Sequence, residues 1–160
     1  AQDAVAKRFG EVADDITGFA GNDALCYRAD DPESLCDTQR RVWDPVVEWA
    51  DDQLGGRFVL IEGIMHTPQD PALLTAFRTR IGDDSPLRLA GLHTVTTLTG
   101  SALLALALRE GFLDGDNVWT AAHVEEDFNI QRWGEDAEAK QIRAYKRSEF
   151  DAAALVLANA

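Results

Sequence analysis

The sequence predicts a mainly α protein, a single compact multi-helix domain with at most one short extended segment near Arg57–Met65. Three observations carry that expectation. Apolar residues recur three and four positions apart through most of the chain, the period of a helix with one buried face. Asp-Pro and Ser-Pro pairs and isolated glycines punctuate these stretches where helices start and stop. The 160 residues, 46% hydrophobic and 27% charged, contain no linker, repeat or low-complexity tract, so residues 1–160 read as one domain with one core.

The first helix follows a cap at Asp3, carries Val5, Phe9, Val12, Ile16 and Phe19 on one stripe, and meets stops at Gly18 and Gly21. The chain opens at Ala1 directly in helical pattern, so a preceding amino-terminal segment is expected. Asp31-Pro32 signals a second start, through Leu35, Gln39, Val42 and Trp43. Asp44-Pro45 repeats the signal, so two short helices or one kinked helix fit the stretch that Gly55-Gly56 ends. From Arg57 to Met65, Phe58, Val59, Leu60, Ile61 and Ile64 are β-branched or bulky and glycines interrupt them, which predicts a lone extended segment. Pro68 and Pro71 lead into a helix through Leu73, Leu74, Phe77 and Ile81 that Gly82 closes, and Ser85-Pro86 starts another.

From Leu87 to Leu108 the chain is apolar or small on nearly every side, the composition of one central helix, with Gly111 capping its end. Asp114 or Asp116 then starts a helix running through Trp119, Phe128 and Trp133 to Gly134. The last helix spans about Asp136 to about Ala158, basic on one face of its first half through Lys140, Arg143, Lys146 and Arg147.

Charge excludes several functions. Twenty-eight acidic side chains against 15 basic ones give a net charge of −13, which repels nucleic-acid phosphates and anionic lipid. The longest apolar run, Ala102–Leu108, is far short of the ~20 residues that span a bilayer, so no membrane insertion is expected. Cys26 and Cys36 lack zinc-ligand spacing and read as free thiols of a reducing compartment. A bacterial cytoplasm suits this acidic chain, which shows no basic targeting leader, better than an organelle does; if the source is eukaryotic, the mitochondrial matrix is expected.

Most signatures of catalysis are absent. No phosphate loop, dinucleotide turn or nucleophile elbow occurs, and His66, His93 and His123 are scattered over three segments. The Asp pairs fall where solvated faces or helix ends favour acids. No catalytic residue, cofactor, metal site or small-molecule substrate is therefore expected. Arg28 is expected to be buried and paired with Asp23 or Asp30.

The segment Val118–Trp133 stands apart. Laid out as one helix, it places Glu125, Glu126, Asn129 and Arg132 inside an apolar arc with Phe128, Ile130 and Trp133. A carboxylate there must be paired or kept near water. Either Glu125 pairs with Arg132 or with another helix and only fixes packing, or the face is an exposed docking surface with charged anchors among aromatics. The four tryptophans, Trp43, Trp49, Trp119 and Trp133, pose the same choice between core and interface.

Ordered blocks of sequence carry a resemblance. Asp23-Ala24-Leu25-Cys26-Tyr27-Arg28, then Pro32-Glu33-Ser34-Leu35, Gln39 and Trp43-Asp44-Pro45-Val46-Val47-Glu48-Trp49, form one. Gly100 to Leu108 with Gly111, and Val124 to Gly134, form two more. Together they resemble the chaperone family that assembles the catalytic head of F-type ATP synthase by holding its alpha subunit. That family usually has Glu, Tyr and Gln where this chain has Asp127, Phe128 and Asn129.

The resemblance implies a non-enzymatic assembly factor that binds the unassembled alpha subunit and prevents its aggregation until the beta subunit replaces it. It implies that this chain is the family's helical domain, lacking a β-rich amino-terminal region. It also marks Glu125 first and Glu126 next as partner-binding, and the helical layout adds Asn129, Arg132 and Trp133 as the rest of that candidate surface. Two other readings stand beside it: a structural helical domain whose partner surface lies on the missing segment, and a small helical metal-dependent hydrolase.

Overall fold

A computed structural model describes residues 2–63 and 66–159, with the backbone alone for Gln2, Asp3 and Val5. The Asp3 cap, the place of Val5 in its stripe, and Ile64 and Met65 at the end of the extended stretch therefore lie outside the described residues. Among the described residues eight helices follow in order: α1 (Gln2–Gly21), α2 (Glu33–Leu54), α3 (Pro71–Ile81), α4 (Pro86–Thr99), α5 (Ala102–Arg109), α6 (Gly115–Ala122), α7 (Val124–Trp133) and α8 (Ala137–Asn159). The protein is mainly α, as its helical periodicity requires.

Helix starts and stops follow the local chemistry. The carboxylate of Asp70 accepts the amide of Ala72 ahead of Pro71, and the hydroxyl of Ser85 accepts the amide of Arg88 ahead of Pro86. Asp114 Oδ1 accepts the amide of Asn117, which selects it over Asp116 as the start of α6. At the start of α2 the boundary falls one residue later than expected, with Pro32 rather than Asp31 in the cap position. Asp44-Pro45 does not restart a helix: α2 runs unbroken over Pro45 to an αL cap at Gly55. The Asp44 side chain is used by Arg28 instead.

Two expected single helices are each two. Gly100 adopts φ 71°, an αL cap that ends α4, and Ser101 turns extended to cap α5, its hydroxyl accepting the amide of Leu104. Only α5 is buried on every side, with residues 102–107 inaccessible, while α4 leaves Leu87 62% exposed. Likewise His123 ends α6 and begins α7, its ring nitrogen Nδ1 turned back to the carbonyl of Trp119 at 2.7 Å. The wheel drawn through Val118–Trp133 changes phase at that residue.

The core forms around α5, against which α1, α2, α4, α6 and α8 pack. α4 and α8 approach closely at Gly91, where a Cβ would lie 3.2 Å from Cγ1 of Val156. The second half of α8 is anchored by Phe150, Ala153 and Leu157, all buried, with the Phe150 ring 5.2 Å from that of Trp119.

The extended stretch has a partner that the sequence reading lacks. Ile61–Glu62 (β2) pairs in parallel with Tyr27–Arg28 (β1), in register Tyr27 to Ile61 and Arg28 to Glu62. Gln69 holds the segment from its other side, its side chain donating to and accepting from the backbone of Val59. No helix among the described residues is long and apolar enough to cross a membrane.

Candidate functional site

The three blocks of sequence meet in space. The carboxylate of Asp23, wholly buried, accepts from the amide of Leu25, from the hydroxyl of Ser101 at 2.6 Å and from the amide of Leu103 at 3.0 Å. It thereby caps the short 3₁₀ turn Ala24–Cys26 and the amino terminus of α5, where the helix dipole favours a negative charge. Burial is the larger influence and pushes its carboxyl up to about 6, against the hydrogen bonds that favour the ionised form. Burial likewise pushes the thiol of Cys26 up to about 12, so that cysteine is an inert packing group.

Arg28 corrects the expected pairing. Its guanidinium Nη1 binds Asp44 at 2.6 Å, its Nε donates to the carbonyl of Leu25, and the group lies 5.4 Å over the Trp43 ring. Asp23 is already committed to Ser101 on the far side of the turn, and Asp30 is exposed beyond the strand. Trp43 is 4% exposed and donates its indole N–H to the carbonyl of Ala121. The first block therefore props the end of α6, where the third block begins.

That third block is α7. Gln39, 1% exposed, accepts the amide of Ala29 and donates through Nε2 to Glu125 Oε1 at 3.1 Å. Glu125 thus meets another helix, not Arg132, and yet stands on the surface with Asn129, Arg132 and Trp133. Glu126 and Asp127 turn to α8, where Arg143 Nη1 lies 2.6 Å from Asp127 Oδ1 and 3.7 Å from Glu126 Oε1. The hydrogen bond that Arg143 donates to Asp127 pushes the guanidinium's pKa further up. The basic face of α8 is thereby an internal strap as much as a solvated surface.

Of the four tryptophans, three belong to the interior or its margin. Trp119 is buried, and Trp49 stacks on Phe112 at 5.0 Å. Trp133 is 78% exposed, and the guanidinium of Arg132 sits 5.6 Å from its ring and 5.9 Å from that of Phe128. Exposure of so large an apolar ring has no folding advantage. It borders a groove of about 410 Å³ between α7 and the first turns of α8, with Ile130 and Ala139 beside it and Glu125, Glu126 and Asn129 along one wall.

The structure thus gathers all five residues singled out by sequence, Glu125, Glu126, Asn129, Arg132 and Trp133, on one helix and its margins. Sequence reasoning missed the opposite wall, made by Glu135, Asp136, Ala139 and Lys140. Gly134, at φ 91°, is the signal that the chain folds back there. It also missed the part of Gln39 in holding Glu125, which a polar residue on the inward stripe of α2 could have revealed. The histidines do not converge: His66 faces Tyr27, His93 faces Asp15, and His123 faces Trp119. Among the described residues no three His, Cys, Asp or Glu side chains group as metal ligands.

Comparison with known proteins places this arrangement. The family model described as ATP12 chaperone protein matches residues 1–51. The fold superposes on the Atu1473 protein of Agrobacterium tumefaciens with a TM-score of 0.91 at 47% identity, over 97% of this chain and 58% of that one. Atp12 from Paracoccus denitrificans gives 0.90 at 33% identity, over 96% of this chain and 66% of that one, and a point mutant of the Paracoccus protein matches equally. The chain thus spans between 58% and 66% of the length of these solved relatives. With the fold matched over at least 96% of this chain and the first block inside the matched segment, the chain belongs to the ATP12 chaperone family.

Proposed function

We propose that this chain is the helical part of a chaperone for assembly of the F-type ATP synthase catalytic head, and that it binds the unassembled alpha subunit until the beta subunit replaces it. The observation that carries the reading is the open face of α7, where an exposed Trp133 stands with Arg132 and Asn129 beside the tethered carboxylate of Glu125. Tryptophan and arginine are the residues in which binding energy concentrates, and a charged rim sets register while permitting exchange. Holding requires contacts that cover apolar surface on the client and then release it, with no bond made or broken. The reading needs no turnover and no cofactor.

A structural domain whose partner surface lies elsewhere would bury Glu125 in an internal pair. Here Gln39 binds one carboxylate oxygen while the residue remains exposed, which favours a working surface supported from beneath. A metal-dependent hydrolase finds no support in the dispersed histidines.

The test is size-exclusion chromatography of the chain with freshly refolded alpha subunit, with light scattering to follow aggregation. Co-elution and suppressed scattering by the wild type, both lost in Trp133→Ala and in Glu125→Lys, are the expected results. Undiminished scattering with the wild type would refute the holding role, and full activity of both variants would remove α7 from it.

A further inference from the structure

We propose that the groove between α7 and the first turns of α8 receives an amphipathic, lysine- or arginine-bearing helix of the held subunit, an inference that rests on the holding role proposed above. Its apolar floor is made by Ile130, Ala139 and the exposed ring of Trp133. Four carboxylates border it, those of Glu125, Glu126, Glu135 and Asp136. Lys140 is the one cation among the lining residues, and its ammonium already lies 3.9 Å from Glu135. The local field is negative within a chain of net charge −13, so it attracts a cationic segment and repels an acidic one.

The secondary structure of the walls decides the form of the occupant. The helices α7 and α8 bond their backbone groups internally, and the three-residue link 134–136 between them is too short to present the free edge that strand addition needs. An extended segment on the apolar floor would leave the peptide groups facing it unpaired, which is unfavourable. A helix satisfies those groups internally and presents apolar side chains at i, i+3/i+4 and i+7 to the floor, with basic ones toward the rim. The two walls are held at their spacing by Arg143, which reaches from α8 to Asp127 and Glu126 on α7.

The probe is a fluorescein-labelled amphipathic peptide of about 16 residues, long enough for a marginal helix, made with lysine flanks, with glutamate flanks, and as a scrambled lysine version. Anisotropy titrations are run with the whole chain. The lysine helix binds, the glutamate and scrambled versions bind far more weakly, and rising salt weakens binding. Trp133→Ala raises Kd about ten-fold, as loss of an aromatic anchor does, and Glu126→Gln with Glu135→Gln raises it by a similar factor. Leu87→Ala, an exposed apolar truncation on α4, leaves it unchanged.

Equal binding of lysine and glutamate peptides, or an unchanged Kd in Trp133→Ala with native circular dichroism, overturns the proposal. Aggregation of the alpha subunit is followed in parallel. A wild-type chain that holds the subunit but ignores the lysine helix loses the groove assignment and keeps the holding role. A chain that fails to hold the subunit loses both.

Discussion

Replacing Asp23 with asparagine separates the charge of this buried carboxylate from its shape. Burial pushes its carboxyl from 3.8 up to about 6, so between those values the folded protein holds a proton that the unfolded chain has released. Stability from the group is then fully present below the unfolded value and is lost as pH rises through the folded one. The gap corresponds to a few kcal/mol in all, of which about 1 kcal/mol is regained between about pH 7 and pH 5. The amide introduced by Asp23→Asn cannot titrate, and it presents a donor toward either the Ser101 hydroxyl or the Leu103 amide, so the variant also loses part of the cap at every pH. The assay is urea unfolding followed by tryptophan emission, in steps across that pH range, for wild type and Asp23→Asn. The wild type gains about 1 kcal/mol on the variant as pH falls. Parallel stability curves for the two proteins would refute the claim that this carboxylate is buried, charged and desolvated.

Two further outcomes follow from the packing. Gln39→Ala strips the partner from the amide of Ala29 and from Glu125, and lowers stability in urea by about 1–3 kcal/mol, the cost of an orphaned buried donor. Phe150→Ala empties a fully buried site against Trp119 and costs about 3–5 kcal/mol, read as a lower urea midpoint with an unchanged slope.

The helical class was legible because caps and periodicity are local signals. Asp70, Ser85 and Asp114 each bond the amides that their positions predict. The breaks at Gly100-Ser101 and at His123 were less so. An apolar stretch buried all round hides its own interruption, since no change of face marks it, although a Gly followed by Ser is itself a stop and a start. The partner of Arg28 was misplaced because Asp23 and Asp30 are its neighbours in sequence, whereas Asp44 reaches it across a turn. Strand β1 is two residues long, too short to show a period, and its partner Ile61–Glu62 lies far along the chain. The face of α7 was visible as a misfit of charges among aromatics. That its tryptophan would stay in solvent depends on the fold-back at Gly134, which no wheel contains.

The unequal anchoring of α8 has a mechanical consequence. From Phe150 onward the helix is clamped into the cooperative core, whereas over residues 137–146 it carries exposed side chains such as Ile142 and Tyr145 and is tied back chiefly by Arg143. Such a beam is stiff at its root and compliant at its tip, because opening the tip sacrifices a surface ion pair of about 1 kcal/mol or less and little packing. Amides of the tip will exchange with deuterium through local opening, and those of the root only through global unfolding. The protein can therefore yield at one end of its longest helix while the rest keeps its shape.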